Sequence, residues 1–351
     1  MKKLTEGRVF RWGLVLFLLA AGLSVAGFRE AAAAETKVSK FRLGFGALNA
    51  VNAVVWVMDR EGIYRKYGID TRPIFFNGSL RSVQAMIAGE LDGAVIGSTQ
   101  VIDNNAAGAP VLKVVASLQD VLKYNIMVRP EIKKAEDLKG KSFAIGTVGG
   151  QAYFAALMSL QKLGLDPKRD QIAVVQMGNE TLRAGALLSG GVAATVLAPE
   201  IAATLPPDKA RLFLDLAKEN VPWQHTALAV TQKIIDSDPQ SVENLIKALG
   251  GGIAFMLDPA NKAKAIASIA DMLKMKDPKK LENAYQEAFE TFRRKPYPNM
   301  EGVKFQLKLI ADMKSHPGVE KLKVEDVVDD RFVKKLDQSG FFDQLPKGRQ
   351  P

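Results

Sequence analysis

The sequence predicts an α/β protein built as two lobes with a helical C-terminal tail, and three observations carry that expectation. Strand-like and helix-like segments alternate through the first two thirds of the chain, a short motif recurs at an offset of 101 to 102 residues, and the last third reads as helix. Residues 41–45 alternate like a strand and run into a small, polar stretch at 46–49 that contains Asn49. Residues 53–67 then read as a helix with apolar Val54, Val55, Val57, Met58 and Ile63, closed by Gly68. A second strand at 69–76 is broken by Asn77-Gly78-Ser79, and helix 80–88 follows with Gly89 in the C′ position. Residues 94–96 form a short strand stopped by Gly97-Ser98-Thr99, which opens another helix. Such alternation implies a parallel sheet covered by helices on both faces.

The same grammar restarts after 124–128. A strand at 142–145, a turn at 146–150, a helix at 151–163, a strand at 172–177, a helix at 180–188, a strand at 194–197 and a helix from Glu200 follow in turn. Asn77-Gly78-Ser79-Leu80-Arg81 in the first unit matches Asn179-Glu180-Thr181-Leu182-Arg183 in the second, and each leads through an Ala-rich helix to Gly89 or Gly190 and a short apolar strand. This reads as two lobes of one design. Beyond Trp223 a strand-like 226–231 returns, and Asp236-Ser237-Asp238-Pro239 caps a helix at 242–257. Further helices are expected at 260–273, 278–293 and 299–314, wrapping what is already built. The expected division is therefore a leader at 1–34, one lobe of 38–124 plus 225–340, a second lobe of 129–222 and a tail of 341–351, with strand-like crossovers near 123–128 and 225–231 as the hinge.

Composition narrows the chemistry. At 351 residues and 47% hydrophobic the chain is long enough for about two domains with their own cores. It has no cysteine, which excludes a thiol nucleophile, a redox CxxC, an Fe–S cluster, a Cys-containing zinc site and a lipid-modified N-terminal Cys. The two histidines, His225 and His316, stand in no metal-ligand spacing, and neither a metal nor a cofactor is expected. Residues 1–13 carry Lys2, Lys3, Arg8 and Arg11, and an apolar run at 14–26 broken only by Ser24 leads to Ala31-Ala32-Ala33-Ala34. Those 13 residues fall short of the roughly 20 that a spanning helix needs, so a signal peptide cleaved after Ala34 and an exported, periplasmic product are expected. Removing five basic and two acidic residues lowers the net charge from +10 to +7. Lys and Arg alternate with Asp and Glu rather than forming a block, so the excess reads as a solvated surface with a bias toward anions, and no nucleic acid is expected as a partner.

The motifs point to binding rather than turnover. Gly44-x-Gly46-x-x-Asn49 departs from the dinucleotide fingerprint at its third position, and Asp70 begins the second strand where a ribose carboxylate belongs at its far end. No GxxxxGK[ST], HExxH or GxSxG occurs. What recurs is a cluster of small hydrogen-bonding residues at strand-to-helix junctions: Asn77-Gly78-Ser79, Gly97-Ser98-Thr99, Gly146-Thr147-Val148-Gly149-Gly150 and Asn179-Glu180-Thr181. In open α/β sheets ligands bind outside the carboxyl ends of strands, where helix N-termini offer free N–H groups and partial positive charge, so these junctions favour an anionic group. At any single junction the alternative stays open that these residues only cap helices and make turns. Arg81 and Arg183, in the first turns of their helices, are candidates to clamp the anion from either side, against the alternative of solvated arginines. Tyr153 and Trp223 are candidates to stack on a ligand or to pack in the core; Trp56 reads as core. After Pro199, Glu200 suits either an amine or the helix dipole, and His225 reads as a hinge residue with its hydrogen bonding satisfied.

Several segments resemble one family. Glu61-Gly62-Ile63-Tyr64-Arg65-Lys66-Tyr67-Gly68-Ile69-Asp70, Gln84-Ala85-Met86-Ile87-Ala88-Gly89-Glu90-Leu91-Asp92-Gly93-Ala94, Gly97-Ser98, Ala107-Gly108-Ala109-Pro110 and Asp137-Leu138-Lys139-Gly140-Lys141 with Gly146 resemble periplasmic substrate-binding proteins of ABC importers, in the nitrate/sulfonate/taurine, SsuA-like or NMT1/THI5-like branch. The resemblance covers about 40–250 strongly and the helical tail loosely. It implies a type II periplasmic-binding-protein fold, a monomer with a ligand in the inter-lobe cleft, and delivery to an ABC permease powered by its ATPase. Members bind nitrate, alkanesulfonates, taurine, bicarbonate, pyrimidines or aromatic carboxylates, so the resemblance leaves the ligand open. The expectation is an exported solute-binding protein for a small organic anion. Two alternatives are an enzyme on the same fold, akin to a pyrimidine-precursor synthase, and a sensor presented to a membrane receptor. The former would show a cytoplasmic start and a catalytic His or Asp in the cleft; the latter would be told by a kinase rather than a permease as genomic neighbour.

Overall fold

The computed structural model describes residues 38–347 apart from 110, 220 and 315, so the expected leader lies outside the described residues. Two five-stranded sheets organise them. The first holds, in spatial order, β4 (Ile74–Phe75), β2 (Leu43–Phe45), β5 (Gly93–Gly97), β12 (Pro222–Thr231) and β6 (Leu112–Val121); the second holds β11 (Arg211–Asp215), β7 (Asn125–Val128), β10 (Ala194–Leu197), β8 (Ser142–Ile145) and β9 (Ala173–Gln176). A separate two-stranded ladder pairs β1 (Ser39–Lys40) with β3 (Ile69–Asp70).

The sheets are mixed, where the alternation predicts parallel ones. In the first, β2 is parallel to β4 and β5, while β12 runs antiparallel to both β5 and β6. In the second, β8 is parallel to β9 and β10, while β7 runs antiparallel to β10 and β11. Each sheet is thus three parallel strands of a strand–helix unit, then one reversed strand, then an outer strand that again runs with the first three. The reversed strand next to the unit comes from a crossover: β7 enters the second sheet directly after β6, and β12 returns to the first after β11. Residues 112–121 and 211–215 carry no clean alternation, which is why the sequence does not announce β6 and β11; most of β6 is buried on both faces.

Local chemistry sets most element boundaries. The single helix expected over 53–67 is two, α1 (Ala53–Arg60) and α2 (Ile63–Lys66), because Gly62 takes a left-handed φ of +66° between them. The strand expected over 69–76 is β3 and β4, parted around Pro73, which has no N–H to give a ladder. Helices α3 (Ser79–Ile87) and α4 (Ser98–Ala106) follow β4 and β5, and α5 (Gln151–Lys162), α6 (Glu180–Leu188) and α7 (Pro199–Ala202) follow β8, β9 and β10. The recurring Asn-x-x-Leu-Arg motif therefore sits at the same topological place in both lobes, the junctions β4–α3 and β9–α6.

The C-terminal third is helical: α8 (Gln232–Ser237), α9 (Pro239–Leu257), α10 (Lys262–Leu273), α11 (Pro278–Thr291), α12 (Met300–Asp312), α13 (Val324–Val327), α14 (Arg331–Gln338) and α15 (Phe341–Gln344). Val242, Leu245, Ile246, Leu249 and Ile253 of α9 are buried together with Val54, Val57 and Met58 of α1. Phe332, Val333 and Leu336 of α14 and Phe342 of α15 complete that core, so the tail closes the first lobe. Each fully buried side chain of this size contributes roughly 1.5–3 kcal/mol. No described helix is long and apolar enough to cross a membrane.

Candidate ligand-binding cleft

A cavity of about 240 Å³ lies between the two sheets at the carboxyl ends of their parallel strands. The first lobe lines it with the 46–49 loop after β2, Asn52, Phe75 to Leu80 at the β4–α3 junction apart from Phe76, and Val95 to Gly97 with Gln100 at β5–α4. The second lobe supplies Gly146, Thr147, Gly150, Gln151 and Ala152 at β8–α5, Gly178 to Thr181 and Arg183 at β9–α6, and Ile201. Tyr124 and His225 with Thr226 come from the two crossovers. Gly46 is required by contact: a Cβ there would meet the Ser79 backbone at 2.9 Å, so only glycine lets the loop after β2 lie against the start of α3.

Three helices start at this cavity with glycine as N-cap: Gly78 for α3, Gly97 for α4 and Gly150 for α5, none with a side-chain cap. Four helices away from the cavity carry side-chain caps, whereas α1, α2, α7, α10, α14 and α15 have none either. Thr231 accepts from Ile234 N–H, Asp238 from Ser241 N–H, Asp277 from Lys279 and Lys280 N–H, and Asn299 from Gly302 N–H. At the three starts on the cavity no side chain caps the helix and no acidic residue stands in the first turn, although Tyr153 N–H of α5 bonds the Gly150 carbonyl at 3.0 Å, so the positive dipole end is unopposed. Asn179 combines both roles: it accepts from Leu182 N–H at 3.0 Å as the α6 cap and donates to Asn77 Oδ1 at 3.3 Å across the cleft.

Of the side chains expected at the site, the structure brings together Asn49, Asn77, Gly78, Ser79, Thr147, Gly150, Asn179, Thr181 and Arg183. It leaves Arg81, Ser98, Thr99, Gly149, Tyr153, Pro199 and Trp223 out of the lining. The two arginines do not form a clamp in this structure. Arg81 is exposed outside the lining, while Arg183 is 3% exposed and donates to the Val196 carbonyl at 3.0 and 3.2 Å and the Gly178 carbonyl at 2.5 Å, with Glu180 at 3.8 Å. Its charge is spent inside the second lobe. Ser98 is fully buried with its hydroxyl donating to the Gln224 carbonyl, and Thr99 is buried beside it. Gly149 packs on Asp103 and His316, Tyr153 lies edge-on to Phe154, and Pro199 opens α7 beside a smaller void. Trp223 is core: its indole N–H donates to Gln151 Oε1 at 2.5 Å.

Sequence reasoning missed Asn52, Phe75, Gln100, Tyr124, Gln151, Thr226 and the lining role of His225. Gln100 and Gln151 were within reach, since each follows a flagged glycine inside the first helical turn. Gln151 ties the lobes by donating to the His225 carbonyl at 2.6 Å. Tyr124 and His225 sit on crossovers, where no periodicity tells which side faces the ligand.

The charges of the lining are internally balanced. Glu180 and Arg183 are its ionisable pair, and burial raises the Glu180 pKa while Arg183 opposes the rise. Burial holds His225 neutral, with its pKa lowered to about 3; its Nδ1 lies 2.9 Å from Thr226 Oγ1 and its Nε2 has no partner, against the satisfied hydrogen bonding that the sequence suggests. Just behind, Glu200 is 6% exposed in the first turn of α7, the helix-dipole position that the sequence offers, and its Oε1 also accepts from Ala50 N–H of the other lobe at 3.1 Å, a contact the sequence does not announce. Burial raises its pKa to about 8, with Glu180 adding repulsion.

A family model described as NMT1/THI5 like matches residues 49–263. No curated protein matches the chain by sequence. Among solved structures, the periplasmic nitrate-binding protein NrtA from Synechocystis PCC 6803 superposes with a TM-score of 0.73 at 15% identity, covering 89% of this chain and 92% of that one. The alkanesulfonate-binding protein SsuA from Xanthomonas axonopodis pv. citri, bound to MOPS, gives 0.68 at 18% identity over 84% and 99%. The desulfurization enzyme DSZB gives 0.56 at 14% identity over 85% and 99%. At these identities the likeness is one of fold: two α/β lobes joined by two hinge strands with a cleft between them.

Proposed function

The chain belongs to the NMT1/THI5-like family, and from that premise we propose that it is an exported solute-binding protein that captures a small organic anion in the inter-lobe cleft and delivers it to an ABC permease. One observation carries the choice of an anion: the glycine N-caps of three helices, two from the first lobe and one from the second, line one cavity with neither a side-chain cap nor a first-turn acid opposing the dipole. An anion placed there gains charge-assisted hydrogen bonds from both lobes and holds the cleft shut. Asn49, Asn77, Ser79, Thr147 and Thr181 are the side chains we assign to its recognition, with Arg183 positioning the wall behind them.

We assign the first lobe to 38–124 plus 225–340 and the second to 129–222, with cleavage of the leader after Ala34. We read the cleft as binding rather than catalytic, because the histidine that lines it is buried and held neutral with Nδ1 against Thr226. A protein of the same fold described as the ligand-binding component of an ABC-type import system supports transport over sensing. A thermal-shift screen of nitrate, alkanesulfonates, carboxylates and pyrimidines against the mature chain tests the proposal. An anion at 100 times its Kd is expected to add about 2.7 kcal/mol of stability. Stabilisation by neutral pyrimidines alone, or by none of the panel, would overturn the anion reading.

A further inference from the structure

We propose that Glu200 is a proton-dependent latch between the lobes: carried on α7, it closes onto the Ala50 N–H of the opposite lobe, so that cleft closure withdraws its carboxyl from water and takes up a proton. The proposal deepens the reading of the chain as a cleft-closing binding protein and rests on it.

The contact joins residues 150 apart in sequence. Ala50 belongs to the loop after β2 in the first lobe, and Glu200 to the helix after β10 in the second. Both are buried, and the 3.1 Å bond lies directly behind the cavity. No opposite charge is free to compensate an ionised Glu200. From α11, Glu287 faces it but is paired with Lys123 of the crossover at 3.3 Å, and Lys123 also donates to Thr291. From α6, Glu180 repels it, and Arg183 is committed to Glu180 and to two carbonyls. Tyr124 and His225, at the crossovers, are neutral, since burial pushes the tyrosine pKa up and the histidine pKa down. The Ala50 N–H and Glu200's own N–H favour the ionised carboxylate, but burial and the two like charges outweigh them, so the carboxyl keeps its proton up to about pH 8 rather than the ordinary 4.5.

Opening the cleft returns the carboxyl to water and to its ordinary pKa. The closed form then holds more protons than the open form between 4.5 and about 8, so closure is favoured at the acid end of that window. The closed-to-open ratio should fall by up to about tenfold per pH unit as pH rises through it, and level off above about 8. Once exposed, His225 returns toward its ordinary 6.5 and is partly protonated at the acid end of pH 6.5 to 8.5, which opposes the carboxyl there by about twofold. Asp103, raised to about 8 by burial on α4 and packed against His316 of its own lobe and Gly149 of the other, changes in the same direction. The decisive quantity is therefore the difference between two proteins, not one profile.

The absence of native cysteine allows the lobe separation to be read directly. Spin labels on Gln84→Cys, on α3, and Ser189→Cys, just after α6, report the distance across the cleft by double electron–electron resonance without any solute. Between pH 6.5 and 8.5 the closed-to-open ratio is expected to fall about twentyfold more with Glu200 present than in Glu200→Gln, which keeps the acceptor oxygen and cannot ionise. Equal profiles in the two proteins, or a closed share that rises with pH, would overturn the latch. A carbon-13 NMR titration of the Glu200 carboxyl in the otherwise native chain gives an answer without that variant: a midpoint above pH 6 supports the latch and one below it refutes it. Because no solute is present, these measurements succeed or fail independently of the screen that tests the anion reading.

Discussion

Arg183 separates a ligand clamp from a structural wall, and replacing it by methionine tests which it is. The guanidinium makes three hydrogen bonds to two carbonyls, Val196 and Gly178, and lies 3.8 Å from Glu180, all in a site where the arginine is 3% exposed. Methionine fills much of the volume but leaves both carbonyls without that donor and Glu180 without a counter-charge. Removing one partner of a buried ion pair typically costs about 3–5 kcal/mol, and this geometry has hydrogen bonds as well as charge to lose. Arg183→Met is therefore expected to destabilise the chain by about 3–5 kcal/mol in urea unfolding followed by circular dichroism, while Arg81→Ala, on an exposed side chain, should stay within about 0.5 kcal/mol. The loss also has a sign in pH. Glu180 is already raised by burial, and without Arg183 its folded pKa rises further, so the folded state gains protons relative to the unfolded one and stability falls as pH rises. The deficit should be larger at pH 8 than at pH 6. A variant that unfolds within 0.5 kcal/mol of the native chain, yet no longer binds an anion that the native chain binds, would refute the wall and restore the clamp.

Three further outcomes are expected. Gly150 has N-cap geometry (φ −80°, ψ 171°), so Gly150→Asp should cap α5 internally, place a carboxylate where the anion is proposed to sit, and weaken binding of the anion found by screening more than about 100-fold by calorimetry; an unchanged Kd removes α5 from the site. In Gly302→Ala the new Cβ would meet the Gln224 N and Trp223 C atoms at 2.5 Å, pushing α12 off β12; overpacking of about 1–3 kcal/mol should exceed the gain of up to about 1 kcal/mol in helix propensity, and a stabilised variant in chemical unfolding would show that the strand yields freely. Mass spectrometry of the exported product is expected to show Glu35 as its first residue, and a retained Met1 would refute cleavage.

The strand–turn–helix grammar, the doubled motif and the helical last third were legible because they are local. Each rests on periodicity and on residues such as Gly68 and Gly89, which take left-handed φ where the sequence ends its helices; Gly62 and Pro73, which split the helix expected over 53–67 and the strand expected over 69–76, went unmarked by that periodicity. The same locality marked Asn77-Gly78-Ser79, Thr147, Gly150 and Asn179 as helix starts, and all of them line the cavity. Strand direction was not legible, because a run such as 112–121 pairs with residues 101 to 119 positions later, and nothing within it records its neighbour's polarity. Nor was the fate of Arg183, Ser98 or Trp223. The same side chain serves a ligand or a wall according to whether a carbonyl of its own lobe lies within 3 Å, and that is decided by packing between β10 and α6, or between β12 and α5. Glu200 is the clearest case. Alone it is an acidic residue in the first turn of a short helix; only the approach of Ala50 from the other lobe, and the exclusion of water by both, turns it into a buried carboxyl that keeps its proton near neutrality.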